Sequence, residues 1–172
     1  KLAGNCFAIA EMELKGRRVR ELARDAAWDM GAPRYSPDGE RIAFRSERDG
    51  GGLFVMGATG ESVRRVTDAG FDPSWSPDGR RLVYATEEVF DPVSRDGNSE
   101  LWIVEVDSGG KTLLSSGDAV QPAWSRQGDR IAYWANTQGQ RDLWTVAAAG
   151  GEPVAVTRDA ATDWSPEWSP DG

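Results

Sequence analysis

A short string that returns at long, nearly regular intervals constrains this chain more than any other feature. It is complete as Trp75-Ser76-Pro77-Asp78-Gly79 and as Trp168-Ser169-Pro170-Asp171-Gly172. It is varied as Tyr35-Ser36-Pro37-Asp38-Gly39 and eroded as Trp124-Ser125-Arg126-Gln127-Gly128. The serines stand at 36, 76, 125 and 169, so the spacings are 40, 49 and 44 residues. A period of this length marks a repeat architecture, in which each unit buries its apolar faces against its neighbours.

The copies align beyond the string. A proline precedes each serine by three positions: Pro33, Pro73, Pro122 and Pro166. After each glycine comes a basic residue and an apolar run, as in Arg41-Ile42-Ala43-Phe44, Arg81-Leu82-Val83-Tyr84 and Arg130-Ile131-Ala132-Tyr133. A second run follows at Leu53–Met56, Leu101–Val104 and Leu143–Val146, and a shorter third at Val63–Thr67, Thr112–Ser115 and Val154–Thr157. Each unit reads as four short strands joined by turns. Proline presets the first turn position, aspartate tolerates turn geometry and glycine supplies positive φ. The third copy keeps Gly128 but has lost proline and aspartate, so the glycine is the geometric requirement.

In Ile42-Ala43-Phe44 the large residues share one face and a small residue sits on the other. Neither face is polar, so both are covered. Four-stranded sheets covered on both faces and repeated in series are the blades of a β-propeller. The fold class expected is all-β, with antiparallel four-stranded blades, about three of them full and two partial. Residues 1–25 read as the C-terminal half of a blade, and 26–67 as a full one. Residues 68–115 form a blade lengthened by an insertion at 87–94; 116–157 form another, and 158–172 begin a further one. Arg24-Asp25-Ala26-Ala27 recurs letter for letter as Arg158-Asp159-Ala160-Ala161, which supports this phase. Such an open array leaves apolar faces in water, so self-association is expected, for example two chains closing one ring as a homodimer.

Blade two runs from Pro73 through Trp75-Ser76-Pro77-Asp78-Gly79 to Arg95-Asp96-Gly97-Asn98-Ser99-Glu100-Leu101-Trp102. This pattern resembles the TolB-type propeller repeat, and the resemblance covers nearly the whole chain. It implies a rigid scaffold used in several ways. Family members include periplasmic partner-binding proteins, propellers attached to serine peptidases of the prolyl oligopeptidase type, and propellers fused to kinases and transcription regulators. The resemblance therefore implies a protein or peptide partner and a periplasmic or extracellular location. An accessory gating propeller for a peptidase domain outside this chain is one alternative, and a carbohydrate-binding propeller is another.

Charge and composition narrow the classes. The net charge is −8 and the pI about 4.6, which argues against a nucleic-acid partner. No run approaches the roughly eighteen apolar residues of a membrane helix, so no membrane insertion is expected. The single cysteine, Cys6, excludes an internal disulfide framework and sits in an apolar run that suits a buried thiol. The chain contains no histidine, so neither a Ser-His-Asp device nor an imidazole zinc site can be built from it. Glu87-Glu88 is the obvious carboxylate pair, but adjacent strand residues face opposite ways. Asp96-Gly97-Asn98-Ser99-Glu100 starts like a calcium loop, yet Leu101 stands where the EF-hand pattern needs glycine. Turn residues leading into a strand explain it better. The chain is read as non-catalytic, with no metal and no cofactor.

Two features remain as binding candidates. Acids recur just before each first strand, at Asp29, Asp72, Asp118 and Asp163, with Trp28 and Trp164 beside two of them. A ring of carboxylates at a channel mouth would focus negative potential on a cationic segment. The competing reading is that aspartates cap turns at strand starts. The second candidate is the insertion containing Glu87, Glu88, Val89, Phe90 and Asp91, which mixes acids with exposed-looking apolar residues and suits a protein contact. Trp75, Trp124 and Trp168 recur at one repeat position, as do Phe54, Trp102 and Trp144 at another. Recurrence of that kind points to packing between blades.

Overall fold

The computed structural model describes residues 7–25, 27–95 and 97–171. Cys6 and Asp96 lie outside them. The strands run in chain order as β1 (Ile9–Glu13), β2 (Arg18–Ala23), β3 (Met30–Tyr35), β4 (Arg41–Ser46), β5 (Gly52–Gly57), β6 (Arg64–Arg65) and β7 (Phe71–Trp75). They continue as β8 (Arg81–Ala85), β9 (Leu101–Glu105), β10 (Lys111–Ser115), β11 (Val120–Trp124), β12 (Arg130–Thr137), β13 (Gln140–Ala147) and β14 (Val154–Ala155). Hydrogen bonding sorts them into a two-stranded sheet, β1-β2, and three four-stranded sheets, β3-β4-β5-β6, β7-β8-β9-β10 and β11-β12-β13-β14. Every pairing is antiparallel between sequence neighbours. Residues 158–171 follow β14 without forming a strand.

The repeated string builds one hairpin turn three times. Ser36 N donates to the Arg41 carbonyl at 2.8 Å, and Gly39 N to the Ser36 carbonyl at 2.9 Å. The Ser36 hydroxyl donates to Asp38 Oδ1 at 2.5 Å and accepts from Arg41 N at 2.9 Å. Ser76, Asp78 and Arg81 repeat these contacts at 2.6 and 2.9 Å. In the eroded copy Asp129, one position after the glycine, takes over and accepts from Ser125 Oγ at 2.9 Å. The glycines hold φ of +76° at Gly39, +68° at Gly79 and +82° at Gly128, the left-handed region a side chain disfavours. The aspartate can move within the turn, whereas the glycine cannot.

The core lies between the sheets. Ile42 and Phe44 pack with Phe54, Met56, Met30 and Ile9 against the two-stranded sheet. Ala43, on the opposite face of β4, joins Leu53, Val55, Trp75, Leu82 and Tyr84 between the first and second four-stranded sheets. Val83, Ile103, Trp124, Ile131, Tyr133 and Trp134 fill the space between the second and third. Both faces of β4, β8 and β12 are therefore buried, as apolar runs without polar alternation predict. The first strands β3, β7 and β11 contact one another from sheet to sheet, which places them innermost.

Each first strand carries the same bulge. Gly31 pairs with Arg45 and Arg34 with Ala43, so Ala32 and Pro33 together oppose Phe44. Asp72-Pro73 stands opposite Tyr84, and Gln121-Pro122 opposite Tyr133, in the same way. The residue before each proline is left-handed: Ala32 at φ +49°, Asp72 at +49°, Gln121 at +49° and Ser165 at +52°. Left-handed backbone in a residue with a side chain costs about 1–2 kcal/mol. A β-bulge of this form bends the strand and re-aims the side chain at its first position.

Candidate functional site

Those re-aimed side chains define a concave surface between the first strands. A cleft of about 570 Å³ runs between the first strands, lined by Asp72, Gln121 and Ser165 from the bulges. Arg34, Ser74, Ala123 and Glu167, two residues further along, line it too, with Tyr35, Trp75 and Trp124. Four repeats thus contribute matched positions to one surface. Gln121 is held in place: Trp134 Nε1 donates to its Oε1 at 2.7 Å and Ser165 Oγ donates to the same oxygen at 3.0 Å. Ser74 Oγ accepts from Trp124 N at 3.0 Å. Arg41 lies over Trp75 at 5.0 Å and Arg81 over Trp124 at 4.9 Å from the ring centres, stiffening the aromatic wall. Burial pushes the Asp72 carboxyl above its ordinary value, with Arg34 pulling weakly the other way. A carboxylate that is costly to desolvate and has little compensation is poised to take a cation or a donor from a ligand.

The four acids singled out by sequence do not form a ring there. Asp72 immediately precedes its proline, whereas Asp29 and Asp118 stand four residues before theirs and Asp163 three. Only the residue at the bulge is turned to the cleft. Asp29 instead accepts from Phe7 N at 2.9 Å. Asp163 N donates to the Arg141 carbonyl at 3.0 Å, and one of its carboxylate oxygens is buried without a partner among the described residues. Trp28 and Trp164 are 42% and 45% exposed and lie outside the cleft lining.

Asp118 is a structural acid. Its Oδ2 accepts from Arg95 Nη1 at 2.7 Å and from Asn136 N at 2.7 Å, and its Oδ1 from Ser99 N at 3.1 Å and from Arg95 Nη2. Arg95 also donates to Glu87 Oε2 at 2.7 Å and lies 5.3 Å from the centre of the Trp134 ring. Its side chain is 3% exposed. This cluster roots the insertion of the second blade on the third.

Above that root the insertion divides. Val89 packs against the core between the second and third sheets, contrary to its exposed appearance in the sequence. Phe90 is 87% and Val93 65% exposed. Asp91 closes a local turn, accepting from Val93 N at 3.0 Å and Ser94 Oγ at 2.8 Å, and the Ser94 bond holds its carboxyl below the ordinary value. Desolvation raises that of Glu88. Arg141 reaches up to the Val93 and Arg95 carbonyls. Glu87 and Glu88 do not act as a carboxylate pair, because Glu87 is committed to Arg95. Ser99 and Glu100 from the calcium-like stretch are also committed: Ser99 Oγ accepts from Thr86 N at 3.2 Å, and Glu100 accepts from Trp102 Nε1 at 2.8 Å. Among the described residues no cluster of three potential ligands could hold a metal, and no helix is long and apolar enough to cross a membrane.

Three four-stranded meanders, packed face to face with their first strands innermost, define a partial β-propeller. The chain belongs to the TolB beta propeller domain family, whose profile matches residues 71–172. It is 30% identical over 145 residues to the uncharacterized protein Atu1656 of Agrobacterium fabrum (strain C58 / ATCC 33970), covering 80% of this chain and 46% of that protein. It is also 30% identical over 148 residues to the uncharacterized peptidase YuxL of Bacillus subtilis (strain 168), covering 81% of this chain and 20% of the relative. Among solved structures, TolB from Acinetobacter baumannii superposes with a TM-score of 0.78 at 16% identity, over 96% of this chain and 41% of that one. The chain thus spans less than half the length of each of these proteins.

Proposed function

We propose that this chain is a non-catalytic interaction module that seats a protein or peptide segment in the cleft between its first strands. The observation that carries this reading is the convergence of Asp72, Gln121 and Ser165 on one surface from equivalent, strained bulge positions. Left-handed residues held at the same place in four repeats concentrate backbone strain where a ligand would sit. The mixture of Asp72, Arg34, Glu167 and neutral polar groups beside Trp75 and Trp124 suits a mixed-charge peptide. Phe90, presented on a rooted loop, supplies an apolar anchor for the same or a second partner. The absence of histidine supports a role without nucleophilic or imidazole-metal chemistry. The family resemblance supports a periplasmic or extracellular setting.

The experiment is photo-cross-linking. A photoreactive phenylalanine analogue replaces Gln121, and separately Phe90, in cells that make the parent protein. The expected result is a discrete adduct from position 121 that disappears when Ser165→Trp fills the cleft. Adducts that persist undiminished with Ser165→Trp, or none from either position, would sink the proposal. A second reading is favoured by the match to YuxL: a propeller that gates a peptidase domain carried elsewhere on the parent chain. A Gly-x-Ser-x-Gly segment followed by a histidine in the parent sequence is its signature.

A further inference from the structure

The seams between neighbouring sheets are built alike, and one of them is missing its closure. Pairing fixes the correspondence. Phe54 pairs with Arg65, Trp102 with Leu113 and Trp144 with Ala155, so Lys111 corresponds to Pro153 and Asp68 to Ser116. Between the first and second four-stranded sheets, the Lys111 ammonium bonds the Asp68 carboxylate across the seam. Between the second and third, Pro153 and Ser116 can make no such bond. A groove of about 670 Å³ opens there, lined by residues that include Asn98, Ser116, Tyr133, Gln138, Trp144 and Glu152.

The indole at the wall of this groove is also in a different state. Trp102 Nε1 donates to Glu100 at 2.8 Å. The residue corresponding to Glu100 is Asp142, one methylene shorter, whose Oδ1 faces Thr157 Oγ1 at 3.4 Å instead. Trp144 Nε1 is left buried with no acceptor among the described residues. A buried donor without a partner costs about 1–3 kcal/mol, which a small turn of the indole edge toward a ligand oxygen in the groove would recover.

The charges around the groove select the ligand. Both oxygens of Asp118 are occupied by Arg95 and by backbone N–H groups, and Arg95 is itself neutralised by Asp118 and Glu87. Among the described residues lining the groove there is no cation for an anionic ligand. The Asn98, Ser116 and Gln138 side chains make no hydrogen bonds among the described residues and present both donors and acceptors. Uncommitted amides and hydroxyls beside an indole are the chemistry that holds a ring bearing several hydroxyls. We propose that the seam between the second and third sheets is a binding site for a neutral oligosaccharide, with Trp144 as its aromatic wall and hydrogen-bond donor. This site is separate from the cleft between the first strands.

The test is titration of the ¹⁵N-labelled chain with neutral gluco-, xylo- and N-acetylglucosamine hexasaccharides, following the indole N–H signals. The Trp144 signal is assigned by its loss in Trp144→Phe, a variant that keeps the ring packing. The expected result is saturable movement of that signal by at least one of the sugars. Affinity, measured by calorimetric titration so that Trp144→Phe can be included, should fall at least tenfold in Trp144→Phe and in Gln138→Ala, and stay unchanged in Asp72→Asn. The double variant Ser116→Asp with Pro153→Lys grafts the strap of the neighbouring seam and should abolish binding while the other indole signals stay in place. The proposal is overturned if no sugar moves the Trp144 signal at millimolar concentration. It is equally overturned if the grafted strap leaves binding intact, or if a neutral peptide moves the signal and the sugars do not.

Discussion

Arg95 Nη1 lies 2.7 Å from Asp118 Oδ2, joining residues 23 positions apart, one in the loop between β8 and β9 and the other in the connection leading into β11. With a side chain 3% exposed facing one 10% exposed, the pair has little water to screen it. Removing one member of such a pair costs about 3–5 kcal/mol, because the other charge stays buried. For Arg95→Ala the expected loss is about 3 kcal/mol, the low end, since Ser99 N and Asn136 N still serve the carboxylate. Urea unfolding measures it. Glu87→Gln, at a carboxylate 37% exposed, should cost less than about 1 kcal/mol.

Asp72 gives a pH signature of the opposite sense to ordinary acid denaturation. Its folded pKa is raised by burial, so the folded state holds the proton more tightly than the unfolded one. The residue therefore costs stability at pH values above its folded pKa, and the cost vanishes as pH falls below the unfolded value of about 3.9. Asp72→Asn should raise Tm at pH 7, and the gap from the parent should close on acidification. A gap that is constant with pH, measured by thermal unfolding from pH 3 to 8, contradicts this account.

Glycines with positive φ should not respond alike to alanine. Gly128 holds φ +82°, but a Cβ there meets only Pro77 at 3.5 Å, ordinary contact. Its replacement should cost about 1–2 kcal/mol from backbone conformation alone. At Gly52, φ +138°, a Cβ would collide with the Thr67 carbonyl, which is part of the backbone and cannot yield. Gly52→Ala should lower the urea midpoint clearly more than Gly128→Ala. Equal shifts would show that the collision is relieved at no cost.

The two-stranded sheet and the turn joining its strands leave Met12, Leu14 and Val19 at 56%, 83% and 68% exposure. Such a surface favours association. Light scattering on an eluting sample is expected to give a mass above that of one 18.7 kDa chain at tens of micromolar. Met12→Lys with Val19→Lys should restore the monomer. A monomer mass for the parent chain at every concentration removes this surface as a contact. Phe90→Ala serves as the contrast: it should leave both mass and Tm unchanged, since its ring is 87% exposed.

Much of the fold is written in the repeats. Alternation of large and small residues in Ile42-Ala43-Phe44 announces sheets covered on both faces, and the structure packs those residues into two different layers. The requirement for glycine in the turn, inferred from Gly128 surviving the loss of its neighbours, appears as positive φ in the three copies whose glycine is among the described residues. The site was harder to read. The bulge residues Ala32, Asp72, Gln121 and Ser165 share no chemistry, and a following proline ordinarily biases its predecessor to extended backbone. That rule points away from the left-handed conformation found. The acids looked equivalent because each stands close before a first strand, yet a shift of three residues sends Asp118 to Arg95 rather than to the cleft. Trp134, which fits neither aromatic series, proves to orient Gln121 through its indole N–H. Contacts between blades of this kind depend on register across a seam, which a single sequence does not display.

The bulge divides labour within each repeat. Proline and the strand opposite hold the kink, so the side chain just before the proline is not needed to make the bend, although Gln121 also serves the Trp134 indole. Positions 32, 72, 121 and 165 are accordingly the places where the chain can change what it recognises without changing how it folds. They lie 40, 49 and 44 residues apart, and the last three, Asp72, Gln121 and Ser165, address one surface from well-separated codons. Such a propeller behaves like a combination lock with one dial per blade, and duplicating a blade adds a dial rather than a new lock.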